Sequence, residues 1–169
     1  MEKTSVPESL RQAVWLWYAV IGLEVVHQGL NVAMTLMNKA VAREQIKQAL
    51  TGDQSYSDGF INATITLGTA VSALIALAIL GGVYYLVRSL REGTKSAGMA
   101  QRVLIYFAVY FALRALFLFV SSPDSNLPVA LYAVDGCIQI VIGAAAAVAA
   151  YLSMNKDAVE WLLKTAPKP

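Results

Sequence analysis

Residues 13–38, AVWLWYAVIGLEVVHQGLNVAMTLMN, decide the fold of this chain, because this long apolar segment carries charge near its middle. A helix of this length reaches roughly 39 Å at about 1.5 Å per residue, which exceeds the roughly 30 Å hydrocarbon core of a bilayer. Residues 61–87, 102–121 and 128–152 are three further apolar stretches of sufficient length. The sequence therefore predicts an all-α integral membrane protein, an antiparallel four-helix bundle that forms one domain over residues 1–169.

The composition excludes several classes of protein. Hydrophobic residues make up 57% of the 169 positions, above the usual share in a soluble domain, and the formal net charge is +2. The basic residues form no block, so nucleic acid is not an expected partner. The sequence contains no nucleophile–base pair, phosphate loop or metal motif, and its single cysteine, Cys137, lies inside the fourth predicted span. We therefore expect a lipid bilayer as the surroundings, and no enzyme activity, cofactor or metal site.

The basic residues predict which side of the membrane the termini occupy, because cytoplasmic loops are enriched in Lys and Arg. With four spans, the N-terminal segment, the middle loop and the C-terminal tail share one side, which holds Lys3, Arg11, Arg88, Arg91, Lys95, Arg102, Lys156, Lys164 and Lys168. The opposite side holds Lys39, Arg43 and Lys47. This asymmetry predicts a multi-pass protein of the cytoplasmic (inner) membrane with both termini cytoplasmic.

Two helical segments are predicted outside the hydrocarbon core. Residues 39–50 contain good helix formers and no breaker, so the first helix is predicted to extend without interruption beyond the outer surface. Residues 156–165 form a short amphipathic, interfacial helix near the C-terminus. We expect three of its side chains to hold it against the inner membrane surface, namely Trp161, Leu162 and Leu163.

One face of the first span is polar over most of its length. At about 100° per residue, six polar side chains fall within an arc of about 100°; they are Glu24, His27, Gln28, Asn31, Thr35 and Asn38. The remaining positions, such as Val25, Val26 and Leu30, are apolar. Such a face is costly in lipid, so we expect it to turn toward other protein groups or water.

The third and fourth spans supply polar groups at a similar depth. Arg114 lies in the third span, and Asp135 and Gln139 form an i, i+4 pair in the fourth. Leaving Glu24, Arg114 and Asp135 in lipid would cost on the order of 8–10 kcal/mol, which pairing of Arg114 with one or both carboxylates offsets. The sequence thus predicts an intramembrane polar cluster of Glu24, His27, Gln28, Asn31, Arg114, Asp135 and Gln139.

Two interpretations of this cluster remain open. It either fixes helix packing and register, or it serves as a proton or ligand site, because intramembrane ionisable groups occur in both roles. Haem ligation by two histidines is excluded, since His27 is the single histidine. Cys137 is most simply a small apolar packing residue.

The N-terminal stretch VPESLRQAVWLWYAVIGLEVV resembles the start of small four-span membrane proteins of actinobacteria. The likeness rests on Pro7, Arg11, Ala13, Trp15, Leu16 and Trp17. It implies an inner-membrane location and no particular activity. Small multidrug transporters are similar in having four spans and a glutamate in the first, but this chain adds Arg114 and Asp135 and has a stronger charge asymmetry.

Two functions are compatible with these features; a third, a membrane-embedded enzyme that acts on lipid with Glu24 and His27 as acid and base, lacks an accompanying nucleophile or metal site. The first is a non-enzymatic accessory or scaffold subunit of a larger cytoplasmic-membrane complex, of a respiratory or envelope-biosynthesis type, whose partners are other membrane-protein subunits or a second copy. The second is a small transporter or proton-coupled carrier that works through Glu24, His27, Arg114 and Asp135. A water-filled cavity beside Arg114 would favour the carrier, and a dry, paired cluster would favour the scaffold.

Overall fold

The computed structural model describes residues 5–49, 57–120 and 127–165, and it confirms the all-α four-helix architecture. The helices in these ranges are α1 (Glu8–Met37), α2 (Lys39–Ala49), α3 (Asp58–Glu92), α4 (Ala97–Phe117), α5 (Val129–Ser153) and α6 (Lys156–Thr165). Four of them, α1, α3, α4 and α5, are long and apolar enough to cross a membrane. This is the architecture of a multi-pass membrane protein in a lipid bilayer.

The four long helices surround the bundle axis in the order α1, α3, α4, α5, and α5 closes the ring against α1. In this arrangement α1 and α4 lie on opposite corners, as do α3 and α5. The tightest neighbours are α5 with its two flanking helices, and α3 is the least buried of the four. Two helices at opposite corners can therefore meet only through long side chains.

The apolar core is concentrated at the end of the bundle that holds the chain termini. Trp17 of α1, Val87 and Leu90 of α3, and Leu104 of α4 are fully or almost fully buried there. The alanine-rich part of α5 packs against them through Ala146, Ala149 and Ala150. Because small side chains allow close approach of helix backbones, this end forms a dense plug.

Gly143 is the point of closest approach between α4 and α5. A Cβ atom at this position would lie 2.9 Å from the Cβ of Ala115 and 3.0 Å from the backbone oxygen of Phe111. Neither atom can move independently of its helix, so this glycine allows α4 and α5 to pack at their observed separation.

The turn between α3 and α4 is held by a glycine and three hydroxyls. Gly93 ends α3 with φ of 61°, a left-handed conformation that favours glycine, and its N–H donates to the carbonyl of Ser89. The hydroxyls of Ser89, Thr94 and Ser96 lie within hydrogen-bond distance of one another. This short, satisfied turn fixes α3 and α4 as an antiparallel pair.

The predicted extension of the first helix is wrong in one respect, because the helix is interrupted at Asn38. Asn38 has φ −111° and ψ 40°, α1 ends before it, and α2 begins at Lys39. Residues of α2 then pair with the start of α3: Arg43 Nη2 donates to Asn62 Oδ1 at 2.8 Å, and Lys47 Nζ lies 3.6 Å from Asp58 Oδ1. The break lets α2 follow α3 while α1 stays with α5.

The C-terminal helix forms where predicted, but its apolar face contacts protein. Trp161 and Leu162 are buried in the core cluster beneath the bundle, and Leu163 is exposed. Trp161 packs directly against Gly93. The expectation that Trp161 and Leu162 lie on the membrane surface is therefore wrong, because the helix ends offer them a closer apolar site. The last residue of the predicted third span, position 121, lies outside the described residues.

Candidate functional site

A two-bond ion pair joins α1 to α4 across the diagonal of the bundle. Arg114 Nη1 donates to Glu24 Oε1 at 2.7 Å, and Arg114 Nη2 donates to Glu24 Oε2 at 2.6 Å. Gln28, one turn along α1, is the third donor to this carboxylate; its Nε2 donates to Oε1 at 3.0 Å. Glu24 is only 4% exposed, so its carboxylate is removed from the surroundings and satisfied by protein donors.

Aromatic rings complete the environment of Arg114. Its guanidinium carbon lies 5.1 Å from the ring centre of Phe111 and 5.9 Å from that of Tyr110, both on α4. These distances fall within the range for a cation over a π face. The Nε atom of Arg114 is buried without a hydrogen-bond partner, so the guanidinium is held by its two outer nitrogens and the rings.

A second buried pair joins α1 to α5. His27 Nδ1 lies 2.6 Å from Asp135 Oδ1, and Gln139 Nε2 donates to Asp135 Oδ2 at 2.7 Å. Because an ionised carboxylate only accepts hydrogen bonds, Nδ1 of His27 is the donor to ionised Asp135. All three side chains are buried. The carboxylate therefore has a partner on each oxygen, one from each helix.

The two pairs share α1 as their common element. Glu24 and His27 are three residues apart, so they lie on the same side of the helix, yet one side chain reaches α4 and the other α5. With His27 neutral, the four groups carry one net negative charge. Through these contacts, three of the four long helices (α1, α4 and α5) are tied together at this junction.

An apolar groove lies between α3 and α4 and borders the Glu24–Arg114 pair. It encloses about 460 Å³. Its walls are apolar and aromatic, and Glu24 and Gln28 form its polar end; the wall residues include Ala76, Ile79, Leu80, Val83, Tyr106 and Phe107. Ile79 and Tyr106 are largely exposed, so the groove opens sideways toward the surrounding lipid.

A polar cleft lies on the other side of Gln28, among α1, α2 and α3. It encloses about 570 Å³, and its lining includes Gln28, Asn31, Thr35, Gln45, Thr69 and Ser72. Its described lining contains no charged side chain. Gln28 belongs to both spaces, so the polar cleft and the apolar groove meet at this residue.

The structure divides the seven residues of the predicted polar cluster into three groups. The first group is the Glu24–Arg114 pair with Gln28, and the second is the His27–Asp135 pair with Gln139. Asn31 contacts neither pair; its exposed side chain lines the polar cleft. Thr35 also faces the cleft and donates to the carbonyl of Asn31.

Sequence reasoning missed the contribution of α2 to this region. Gln45 lines the polar cleft, and its side chain was not singled out because α2 was treated as part of a projecting helix. Two polar residues of α3, Asn62 and Thr66, accept hydrogen bonds from Arg43 and Lys39 of α2. The alternation of basic and polar residues on α2 was the available signal.

The charged side chains at this junction bind one another among the described residues. Both carboxylates are occupied by donors, and no group of three His, Cys, Asp or Glu side chains in the described ranges is placed to hold a metal ion. Comparison of the chain with protein-family models, with curated proteins and with solved structures gives no match.

Proposed function

We propose that this chain is a non-enzymatic accessory or scaffold subunit of a larger complex in the cytoplasmic membrane. The observation that carries the proposal is the pairing of the buried charges: Glu24 with Arg114, and His27 with Asp135. Charged groups on different helices that bind each other at 2.6 Å stabilise the packing of those helices. A respiratory or envelope-biosynthesis complex is the proposed host.

The outer face of α5 is the proposed contact with the partner. Ala144 and Ala147 are exposed on this face, and Gly143 and Ala146 on the other side pack inside the bundle. Small residues on an outward face allow a second helix to approach closely in a membrane, where van der Waals packing drives association. Either another subunit or a second copy of the chain would meet this requirement.

Purification of the tagged full-length chain from its own membrane in mild detergent tests the proposal. We expect the chain to migrate as a stoichiometric complex, and we expect Ala144→Phe with Ala147→Phe to release it. Leu74→Phe, at an exposed site on α3, is the matched control and should leave the complex intact. A monomer in several mild detergents, with no stoichiometric partner, would overturn the proposal.

The orientation with both termini cytoplasmic is part of the same proposal, and it rests on the distribution of Lys and Arg. In a Cys137→Ala background, Gln48→Cys and Lys156→Cys place single thiols at exposed sites near opposite ends of the bundle. A membrane-impermeant maleimide applied to intact cells should label position 48 and spare position 156. The reverse pattern would invert the assignment.

A proton-coupled carrier is the second candidate, and one observation favours it: the apolar groove reaches Glu24. If Glu24 is released from Arg114 during transport, a cationic ligand in the groove could take the place of Arg114 beside the carboxylate. Transport of a lipophilic cation into proteoliposomes, driven by a pH gradient, tests this function. Equal transport by the native chain and by Glu24→Gln would rule out a carrier role for Glu24.

A further inference from the structure

We propose that the polar cleft and the apolar groove together bind one membrane lipid whose headgroup is uncharged and carries hydroxyls. This site is independent of any partner subunit. The cleft would hold the headgroup, the groove would hold an acyl chain, and Gln28 would lie at the junction of the two. Three features support this site: both spaces border Gln28, they follow each other along α3, and hydrogen-bonding groups line the cleft.

Both spaces follow the inward face of α3. Residues 65, 69 and 72 line the polar cleft, and residues 76, 80 and 83 line the apolar groove, at the spacing of three to four that defines one helix face. From position 65 to position 83 this face extends about 27 Å. One lipid leaflet with its headgroup measures about 20–22 Å, so a single lipid fits along the path.

The polarity of the two spaces matches the direction of a lipid in its leaflet. The polar cleft is adjacent to the end of α1 and to α2, at the end of the bundle away from the terminal plug. The apolar groove runs from there toward the middle of the spans, where Glu24 lies. A lipid with its headgroup near the membrane surface and its chain directed inward has this same arrangement.

The hydrogen-bonding groups of the cleft favour a headgroup with hydroxyls. Thr35, Thr64 and Thr69 donate to carbonyls of their own helices, so their oxygens face the cleft as acceptors. The side-chain amides of Asn31 and Gln45 have no hydrogen-bond partner among the described residues, and they offer both donors and acceptors. A hydroxyl both donates and accepts, so it can bond to each of these groups.

The charges around the cleft argue against a phosphate headgroup. Two cations of α2, Lys39 and Arg43, project onto α3, where they donate to Thr66 and Asn62. A phosphate in the cleft would meet no lining cation, and the threonine hydroxyls that donate to backbone carbonyls could offer it only acceptor oxygens. A glycerol or sugar headgroup avoids this electrostatic cost.

Photolabelling of the purified full-length protein in lipid nanodiscs tests the proposal. The probes are a diacylglycerol and a phosphatidylglycerol that carry the same diazirine-labelled acyl chain. We expect the diacylglycerol to label the groove segments of α3 and α4, and the phosphatidylglycerol to label them about tenfold less, a preference of about 1.4 kcal/mol. Equal labelling by both probes, or labelling spread over all helices, would overturn the proposal.

Two variants locate the headgroup. A side chain at Gly68 would point into open space in the cleft, so Gly68→Leu should fill the cleft without a clash and abolish the diacylglycerol preference. Gly81→Leu makes the same change on α3 at another open position and should leave the preference intact. Thermal unfolding of each variant checks the fold. Asn31→Leu is a second test: it removes an exposed amide, and it should also reduce the preference. Native preference in both Gly68→Leu and Asn31→Leu would refute the site.

Discussion

Glu24 and Arg114 lie 90 residues apart, on helices at opposite corners of the bundle, and their side chains meet through two hydrogen bonds of 2.6–2.7 Å. The α1 and α4 backbones do not approach each other closely, and this ion pair links the two helices across the bundle. The effect of removing one charge should therefore differ from the effect of removing both.

The variant Glu24→Gln should destabilise the bundle strongly. It keeps the size of the side chain but leaves the partly buried Arg114 guanidinium without a counter-charge, a change that costs at most about 3–5 kcal/mol. Replacing both residues, in Glu24→Met with Arg114→Met, should cost less than Glu24→Gln alone, because no charge is left uncompensated. Thermal unfolding in detergent, followed by tryptophan fluorescence, measures both. A double variant that is less stable than Glu24→Gln would contradict this account.

In the pair that joins α1 to α5, replacing Asp135 by an amide should destabilise the protein less than replacing His27 by an apolar residue. His27→Leu leaves a buried carboxylate short of one donor and should cost about 1.5–3 kcal/mol, the usual range for hydrogen bonds to charged groups. Asp135→Asn keeps an acceptor for His27 and can still bond to Gln139, so its loss should be smaller. Unfolding temperatures of the two variants compare these costs, and the opposite ranking would mean that the charge of Asp135 has another partner.

Substitution at Gly143 should separate α4 from α5. Gly143→Ala places a methyl group within 2.9–3.0 Å of Ala115 and the Phe111 carbonyl, and overpacking of this kind costs about 1–3 kcal/mol. Gly136→Ala is the matched control on the same helix, where a Cβ meets nothing within 4 Å. There the higher helix propensity of alanine should stabilise the protein by about 0.5–1 kcal/mol. Equal changes in stability for Gly143→Ala and Gly136→Ala would show that a methyl group at position 143 does not disturb the packing of α4 against α5.

Gly93→Ala should loosen the C-terminal helix. The left-handed conformation at position 93 costs an L-residue about 1–2 kcal/mol, and the new Cβ would lie 2.7 Å from the ring of Trp161. We expect a lower unfolding temperature together with greater exposure of Trp161 to an aqueous quencher. Gly98→Ala, at an open position five residues later in α4, should neither lower the unfolding temperature nor expose Trp161. Unchanged quenching in Gly93→Ala would place Trp161 elsewhere.

The number and type of the long helices were predictable because lipid imposes a simple rule on length and polarity. The sequence also indicated that Glu24, His27, Arg114 and Asp135 lie at similar depths in the membrane, and the structure pairs them. It could not assign the partners, because Arg114 could face either carboxylate at that depth. The choice follows from the ring order of the helices, which puts Asp135 beside His27 and leaves Glu24 to reach across.

The break at Asn38 and the burial of Trp161 were beyond local reasoning. Residues 38–49 have no strong helix breaker, and the interruption arises because α2 gains ion pairs with the start of α3. Trp161 has the character of an interfacial residue, yet Gly93 at the α3–α4 turn offers it a close contact. Both outcomes depend on elements distant in sequence, which helix propensity and amphipathic pattern do not encode.

The diagonal pair also sets an order of events during synthesis. Glu24 leaves the ribosome 90 residues before Arg114, an interval of roughly 5–20 seconds at ordinary translation speeds. Throughout that interval the first span has no arginine to bind, so the insertion machinery must shelter its carboxylate or hold the helix at the water boundary. Arrival of the third span then completes the pair, and α5, which follows, closes the ring against α1.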